Sequence, residues 1–356
     1  MTSDTCVDCR ERDASVNIRN RRLCAACFSR YVTGKVAKRM ESYRFTTLSA
    51  DQKRRLFLPV SGGISSLVLL QILDDQLQRQ IAKRNRTAYD IVVARVVLPG
   101  EQDQPTDAKW YEDLKTSFSK HTFLPLLALH NVLRLDSRIV EDLECLGLAR
   151  KVNESDEELF DRIMSSTTSN TARSDLRSVL LQRLLVAAAK KEDCEGILWG
   201  HSDTRLAALA LADVAKGRGG SVSSAIADGP SMYGIGFNYP LRELYEAELQ
   251  TYGLVASEPL LQEVADRAAP VQAPASIRTT AIDDLLSTYI TSQGEKYPSI
   301  MANVVRTASK LEVRRPDGTT AACRFCVMPM RGQLGGQTRT TDLCYGCQRM
   351  RQDIRT

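Results

Sequence analysis

The sequence predicts an α/β protein, a doubly wound and mostly parallel sheet with helices on both faces, flanked at each end by a small four-cysteine ribbon. Three observations carry that expectation. From about residue 56 onward, apolar segments of strand length alternate with helical repeats, the pattern of βαβ units and parallel pairing. Of ten cysteines, eight fall in four Cys-x-x-Cys pairs, two pairs at each end, where random placement gives roughly 0.3 such pairs in all. The composition, 43% hydrophobic and 26% charged over 356 residues, suits a chain that buries a sizeable core.

Disorder, collagen and a disulfide miniprotein are excluded by the same composition. The longest uninterrupted apolar run is Leu206 to Ala212, seven residues, where a membrane span needs about 20. Met1 to Cys6 carries no apolar signal region. A soluble, cytoplasmic protein is expected.

Residues 1–34 hold the first cysteine quartet, and residues 35–55 read as a basic linker helix with Lys35, Lys38, Arg39 and Arg44. The core follows over 56–267. Leu56 to Val60 is a short buried-strand signal, Ser61-Gly62-Gly63-Ile64-Ser65-Ser66 a loop, and Leu67 to Gln80 a helix. Ala88 to Leu98 reads as a strand, Ala108 to Phe118 as a helix and Phe123 to Leu129 as another strand. Helices are expected over 136–150 and 173–191, a strand at Gly196 to Trp199, and an Ala/Leu-rich helix from Thr204 to Ala215. The six glycines of 216–236 mark a loop across the carboxyl ends of the strands, a lid or plain surface. Residues 268–312 form a linker and two helices, near 280–293 and 298–311, leading to the second quartet in 313–356.

The net charge of +5 conceals an asymmetry: residues 1–55 carry +7, the middle −8 and residues 301–356 +6. Either sign varies without consequence on a solvated surface, or two basic ends face a polyanion.

Cys6-x2-Cys9-x14-Cys24-x2-Cys27 and Cys323-x2-Cys326-x17-Cys344-x2-Cys347 each present four thiolates on two knuckles. That is the donor set of a closed tetrahedral zinc site, with no position left for water, so two structural zinc ions are expected. An iron–sulfur cluster and redox dithiols are the other chemistries open to such pairs. Arg19, Arg21, Arg22, Lys35, Lys38 and Arg39 at one end, and Arg331, Arg339 and Arg349 at the other, are candidate RNA contacts, because ribbons with basic loops grip phosphate backbones. The bland alternative is that metal only keeps short ends folded. Cys145 and Cys194 stand alone and read as core thiols, as Trp110 and Trp199 read as core aromatics. His121 and His130 receive no role.

A strand, a Ser-Gly-Gly turn and a helix start suit phosphate, since glycines admit close backbone approach and helix N-terminal amides attract anions. The loop Ser61-Gly62-Gly63-Ile64-Ser65-Ser66 resembles the Ser-Gly-Gly-x-Asp-Ser signature of the PP-loop ATP pyrophosphatases, an adenine nucleotide alpha hydrolase-like fold. Gly200-His201-Ser202-Asp203-Thr204-Arg205-Leu206-Ala207 stands where tRNA-thiolating members have Gly-His-Asn-x-Asp-Asp-x-Ala. Tyr239-Pro240-Leu241, followed by Glu246 or Glu248, resembles their Arg-Pro-Leu segment. With a ribbon at each end, the chain resembles the two-zinc tRNA 2-thiolation group.

Its departures resemble the degenerate partner subunit of that group. Ser65 replaces the loop aspartate, and Thr204 and Arg205 replace the acidic pair, so carboxylates that would hold magnesium and ATP are missing. Where active members carry cluster cysteines, this chain has Ser165 to Arg173 without one, so no iron–sulfur cluster is expected in the core. Ser61, Gly62, Gly63, Ser65, Ser66 and His201 would then be a degenerate nucleotide site with little hold on ATP or magnesium. His201 is equally readable as a structural hydrogen-bonder.

The resemblance implies a heterodimer with a catalytic thiolase subunit, tRNA as substrate, and thiocarboxylated ubiquitin-related modifier 1 as sulfur donor. No catalytic residue is expected in this chain. Two other readings stay open: an autonomous ATP-dependent enzyme using Asp203 or Asp74 and Asp75 for magnesium, and a ribbon-bearing RNA-binding module without a thiolase role.

Overall fold

The computed structural model describes residues 5–44, 54–98, 105–256, 258–267, 280–311, 321–330 and 342–355. The N-terminal ribbon contributes a hairpin, β1 (Val16–Ile18) and β2 (Arg21–Leu23), and the helix α1 (Ala25–Arg39). The core opens with β3 (Arg54–Pro59), α2 (Ile64–Arg84) and β4 (Tyr89–Ala94), then β5 (Val96–Val97), α3 (Pro105–Ser117), β6 (Thr122–Phe123) and β7 (Leu127–Ala128). Short helices α4 (Val132–Leu135), α5 (Ile139–Glu144) and α6 (Asp156–Ser165) precede the long α7 (Asn170–Lys191). After β8 (Gly196–Leu198) and α8 (Asp203–Ala215) come α9 (Val222–Ile226), β9 (Gly229–Pro230) and β10 (Gly236–Asn238). The chain closes with α10 (Glu246–Val255), α11 (Pro259–Arg267), α12 (Ile282–Lys296), α13 (Pro298–Ala308) and, in the second ribbon, α14 (Tyr345–Gln352).

The main sheet has six strands in the order β6-β4-β3-β8-β10-β9, parallel except for the β9 edge. Residue alternation sorts its two faces. Leu56 and Leu58 pack with α1, α2 and α10, whereas Phe57, in register with Val92 and Ile197, packs with α7, α8 and α13. Burial on both faces explains why β3 and β4 read as continuous apolar runs. A third cluster joins α4 to α7 with the C-terminal ribbon.

β4 and β6 lie on one side of β3, and β8 and β10 on the other. The winding reverses between β3 and β8, so the crevice at their carboxyl ends is where such folds bind ligands. The loops after β3 and β8 carry Ser61–Ser66 and Gly200–His201 into that crevice. No helix among the described residues is long and apolar enough to cross a membrane.

Several elements differ from expectation. The predicted strand over 88–98 breaks at Arg95, whose buried guanidinium lies 4.9 Å from the Trp110 ring centroid; β5 then pairs with β7 in a separate two-stranded sheet. The helix expected over 136–150 is α-helical only at α5, because Gly147 takes φ +83° and turns the chain. The glycine-rich segment 216–236 is anchored, with Lys216, Arg218, Val222 and Ile226 buried. The basic helix placed at 35–55 begins earlier, as α1 at Ala25; residues 45–53 of that range, and the 268–277 linker, lie outside the described residues.

Candidate functional sites: two metal centres and the strand-end face

The two quartets are built alike. In each, the first cysteine pair forms a knuckle closed by a backbone bond, Arg10 N to Cys6 O and Val327 N to Cys323 O, both 2.9 Å. The residue after the pair is left-handed, Arg10 at φ 58° and Val327 at φ 56°. The second pair starts a helix, with Cys24 as N-cap of α1 and Cys344 as N-cap of α14. All four Sγ atoms of each set lie within 4.8 Å of one another. The separations Cys9–Cys24, 3.9 Å, and Cys326–Cys344, 3.6 Å, bracket the roughly 3.8 Å edge of a tetrahedron whose metal–sulfur bonds are about 2.3 Å. Both sets therefore fit a single tetrahedral ion such as zinc.

The C-terminal centre has a charged outer shell. The Arg218 guanidinium, 6% exposed, donates to Cys347 Sγ at 3.4 Å and to Asp175 Oδ2 at 2.5 Å. Gly217 at φ +84° and Gly346 make this approach possible, since a Cβ on Gly346 would meet Arg218 Cγ at 2.7 Å. Arg183 donates to the Phe325 carbonyl inside the knuckle at 2.9 Å and pairs with Asp142 at 2.8 Å. Tyr233 donates to Cys326 O at 3.0 Å. A centre of four thiolates and a divalent ion carries −2, and a buried arginine against one sulfur offsets it. Sequence reasoning missed Arg218 and Arg183, because their partners lie 129 and 142 residues away.

The crevice at the switch point, about 210 Å³, is lined by Pro59, Val60, Ser61, Ser66, Val96, Leu98, Leu181, Leu185, Trp199, Gly200 and His201. No carboxylate is among these described lining residues. The glycine loop is closed on itself: Ser61 N donates to Ser66 Oγ at 3.3 Å, Gly63 N to Ser61 Oγ at 3.3 Å, and Ser66 Oγ to Gly63 O at 3.0 Å. Gly62 sits at φ +82°, and the side chain of Arg95 fills the place of its missing Cβ. Ser65 is half-buried on the first turn of α2. His201 stacks between Trp199 and Tyr239, ring centroids 5.5 and 5.8 Å away. Burial, with the Arg205 cation, pushes its pKa down to about 3, so the imidazole is neutral and acts as a planar wall. Trp199 does sit in the core.

Asp203 does not enter the crevice lining. It lies 4% exposed in the first turn of α8, and burial raises its pKa to about 6. Asp74 and Asp75 are engaged elsewhere along α2, Asp74 by His121 at 3.0 Å and Asp75 by Gln71 at 3.0 Å. The segment Ser165–Arg173 clasps the C-terminus: Thr168 Oγ1 bonds Asp353 O at 3.0 Å and Ser169, N-cap of α7, bonds Asp353 Oδ2 at 2.7 Å. Burial pushes the thiols of Cys145 and Cys194 up to about 11, which keeps them in the protonated form at neutral pH.

The basic candidates divide. Arg19 grips Glu248 through Nε at 2.7 Å and Nη2 at 2.9 Å, Lys35 pairs with Glu243 at 3.0 Å, and Arg39 with Glu243 at 2.6 Å. These three fasten the ribbon to the core. Arg21 pairs with Asp8, Arg22 is half-buried and Lys38 is exposed. Arg349 caps the C-terminal end of α8 through Ala215 O at 3.4 Å; Arg331 and Arg339 lie outside the described residues.

The family model for Cytoplasmic tRNA 2-thiolation protein 2 matches residues 281–341. Curated proteins of that name from Aspergillus clavatus and Ajellomyces capsulatus are 38% and 40% identical, over 99% and 91% of this chain and 98% and 95% of theirs. A solved structure, the U34-tRNA thiolase NcsA from Methanococcus maripaludis with its 4Fe–4S cluster, shares the fold at a TM-score of 0.59 and 15% identity, covering 92% of this chain and 96% of that one. Near-full-length identity of this degree, on a fold with a ribbon-like cysteine quartet at each end, shows that the chain belongs to the cytoplasmic tRNA 2-thiolation protein 2 family.

Proposed function

We propose that this chain is the non-catalytic, tRNA-binding and scaffolding subunit of a cytoplasmic complex that 2-thiolates the wobble uridine of tRNAs for lysine, glutamate and glutamine. In this reading it forms a heterodimer with a catalytic thiolase subunit, which adenylates the uracil C2 oxygen; sulfur arrives from thiocarboxylated ubiquitin-related modifier 1. Residues 1–34 and 313–356 act as ribbons, 35–55 and 268–312 as connectors, and 56–267 as a degenerate core.

The observation that carries the reading is the crevice. It keeps its place at the switch point, yet its described lining is carboxylate-free, and the amides of Ser61 and Gly63 are taken up by the hydroxyls of Ser66 and Ser61. A triphosphate there would lack the carboxylate ligands through which magnesium neutralises its charge. Cys6, Cys9, Cys24 and Cys27, and Cys323, Cys326, Cys344 and Cys347, would each hold one zinc ion, whose chemistry is to cross-link the ribbon rather than to activate water.

Affinity purification of the full chain from its own cells tests this directly. A second PP-loop protein and about two zinc per chain should co-purify, and loss of the gene should abolish 2-thiouridine in tRNA. Thiolation of tRNA by the isolated chain with ATP and a sulfur donor would overturn it.

A further inference from the structure

A hollow of about 460 Å³ lies at the seam of the N-terminal ribbon, the core and α13. Its walls come from four places: Arg19 and Arg39 of the ribbon, Asp203 at the start of α8, Arg242 after β10, and Arg306 on α13. It opens on the carboxyl face of the sheet, two residues along the chain from His201 of the crevice. Most of its cations are already paired, Arg19 with Glu248, Arg39 with Glu243 and Arg242 with Asp228. Arg306 is exposed, and its guanidinium makes a 3.4 Å bond to Asn303 and no carboxylate ion pair among the described residues. Asp203, lining the same hollow, keeps Oδ2 without any hydrogen-bond partner although three arginines surround it.

This combination points to a ligand. An unpartnered buried carboxylate costs free energy unless a donor reaches it, and an arginine without a carboxylate partner beside it offers a bidentate fork to a phosphate. A ribonucleotide unit has both complements: an anionic phosphodiester and a ribose hydroxyl that donates. The hollow's volume is within the usual range of small-molecule sites, about 300–1,000 Å³. Arg205, exposed on the same turn of α8 as Asp203, adds a further positive charge to this part of the surface.

We propose that this seam hollow holds one nucleotide of an RNA substrate, its phosphate on Arg306 flanked by Arg242, and its ribose facing Asp203. The proposal rests on the tRNA-binding reading above and names the place where that binding is specific for RNA.

The test is equilibrium binding of a fluorescent tRNA, and of an all-deoxy copy of its anticodon arm beside the ribo form, to the full chain across a salt series. Arg306→Ala should weaken tRNA binding about five- to tenfold and reduce the log–log salt slope by about one, with Arg306→Lys restoring the slope. Asp203→Ala should shrink the preference for the ribo arm over the deoxy arm, and zinc content and thermal melting of each variant check that the seam is intact. If the wild-type chain binds tRNA and both variants bind it equally well with an unchanged ribo preference, the seam assignment falls while the tRNA-binding reading stands. If the wild-type chain binds no tRNA, both fall. Displacement of the probe by an acidic peptide, with loss of that effect in Arg306→Ala but no change in tRNA affinity, would make the hollow a protein-docking site and overturn the proposal.

Discussion

The two cysteine quartets share one ligand chemistry and one local construction, yet they are fastened to the core by different forces. The N-terminal ribbon is held at its rim by ion pairs whose cations are partly exposed, Arg19 with the buried Glu248 and Lys35 and Arg39 with the half-exposed Glu243. The C-terminal ribbon is held through its metal-facing interior by buried charges: Arg218 bridges Cys347 and Asp175, and Arg183 bridges Phe325 O and Asp142, with both side chains of the last pair at most 2% exposed. Rim pairs are screened and contribute little, about 0–1 kcal/mol each. A buried pair broken on one side leaves an uncompensated charge and costs about 3–5 kcal/mol. The same four-cysteine arrangement is therefore a local unit at one end and part of the core's electrostatics at the other.

Loss of a ligand should separate the ends most widely. Cys347→Ser forfeits much of a binding free energy on the order of 10 kcal/mol and strips one of the two anionic partners from Arg218, leaving Asp175, so hydrogen-exchange protection should fall along α7 as well as in the ribbon. For Cys9→Ser the loss should stay within the N-terminal ribbon and α1. Equal spread from both ends would erase the distinction.

Arg218→Met comes next. Asp175 retains Lys216 at 3.3 Å, so the expected loss is about 3 kcal/mol, read by denaturant unfolding, with faster zinc release to a chelator. Unfolding unchanged within about 0.5 kcal/mol would show that the arginine is not needed.

Asp203, under the N-terminal seam, gives a pH-dependent case. Burial raises its carboxyl from 3.8 to about 6, so between those values the folded state holds a proton that the unfolded state has lost. Its effect is to lower stability as pH rises from about 4 to about 6, with no further change above. Asp203→Asn should therefore be about 1–3 kcal/mol more stable than the parent at pH 7, and the gap should close near pH 4 in melting experiments. A gap that persists at pH 4 would assign the gain to something other than ionisation.

The smallest effect is expected for Arg19→Ala. It removes the bidentate contact to Glu248 and a stack 4.0 Å over Tyr245, but the buried carboxylate keeps Tyr31 Oη and Tyr245 N as donors, so the loss should be about 1 kcal/mol and weaken further in high salt. A loss as large as that of Arg218→Met would show that the rim holds the ribbon as firmly as buried charge does.

Much of the core could be read along the chain. Strand, glycine turn and helix at 56–84 appear where apolar runs and Ser-Gly-Gly put them, because those signals are local. The break at Arg95 was hidden inside the apolar run 91–98, since nothing nearby in sequence says that this guanidinium turns against Trp110. The short strand at Gly236–Asn238 was missed for a similar reason: only its pairing with β8 makes it a strand.

At the sites the division is sharper. Two-residue spacing brings each pair of thiols together, so the membership of both cysteine quartets follows from the sequence. The missing carboxylates at Ser65, Thr204 and Arg205 are equally visible there. Which charges meet is another matter. Arg19 and Glu248 are 229 residues apart, and Arg218 and Cys347 129, so only the packing of ribbons against sheet decides that Lys35 and Arg39 become fasteners while Arg306 faces an open hollow. Local chemistry sets what each residue can hold; the tertiary structure sets what is left for it to hold, because ion pairs form between side chains brought together by the burial of other groups.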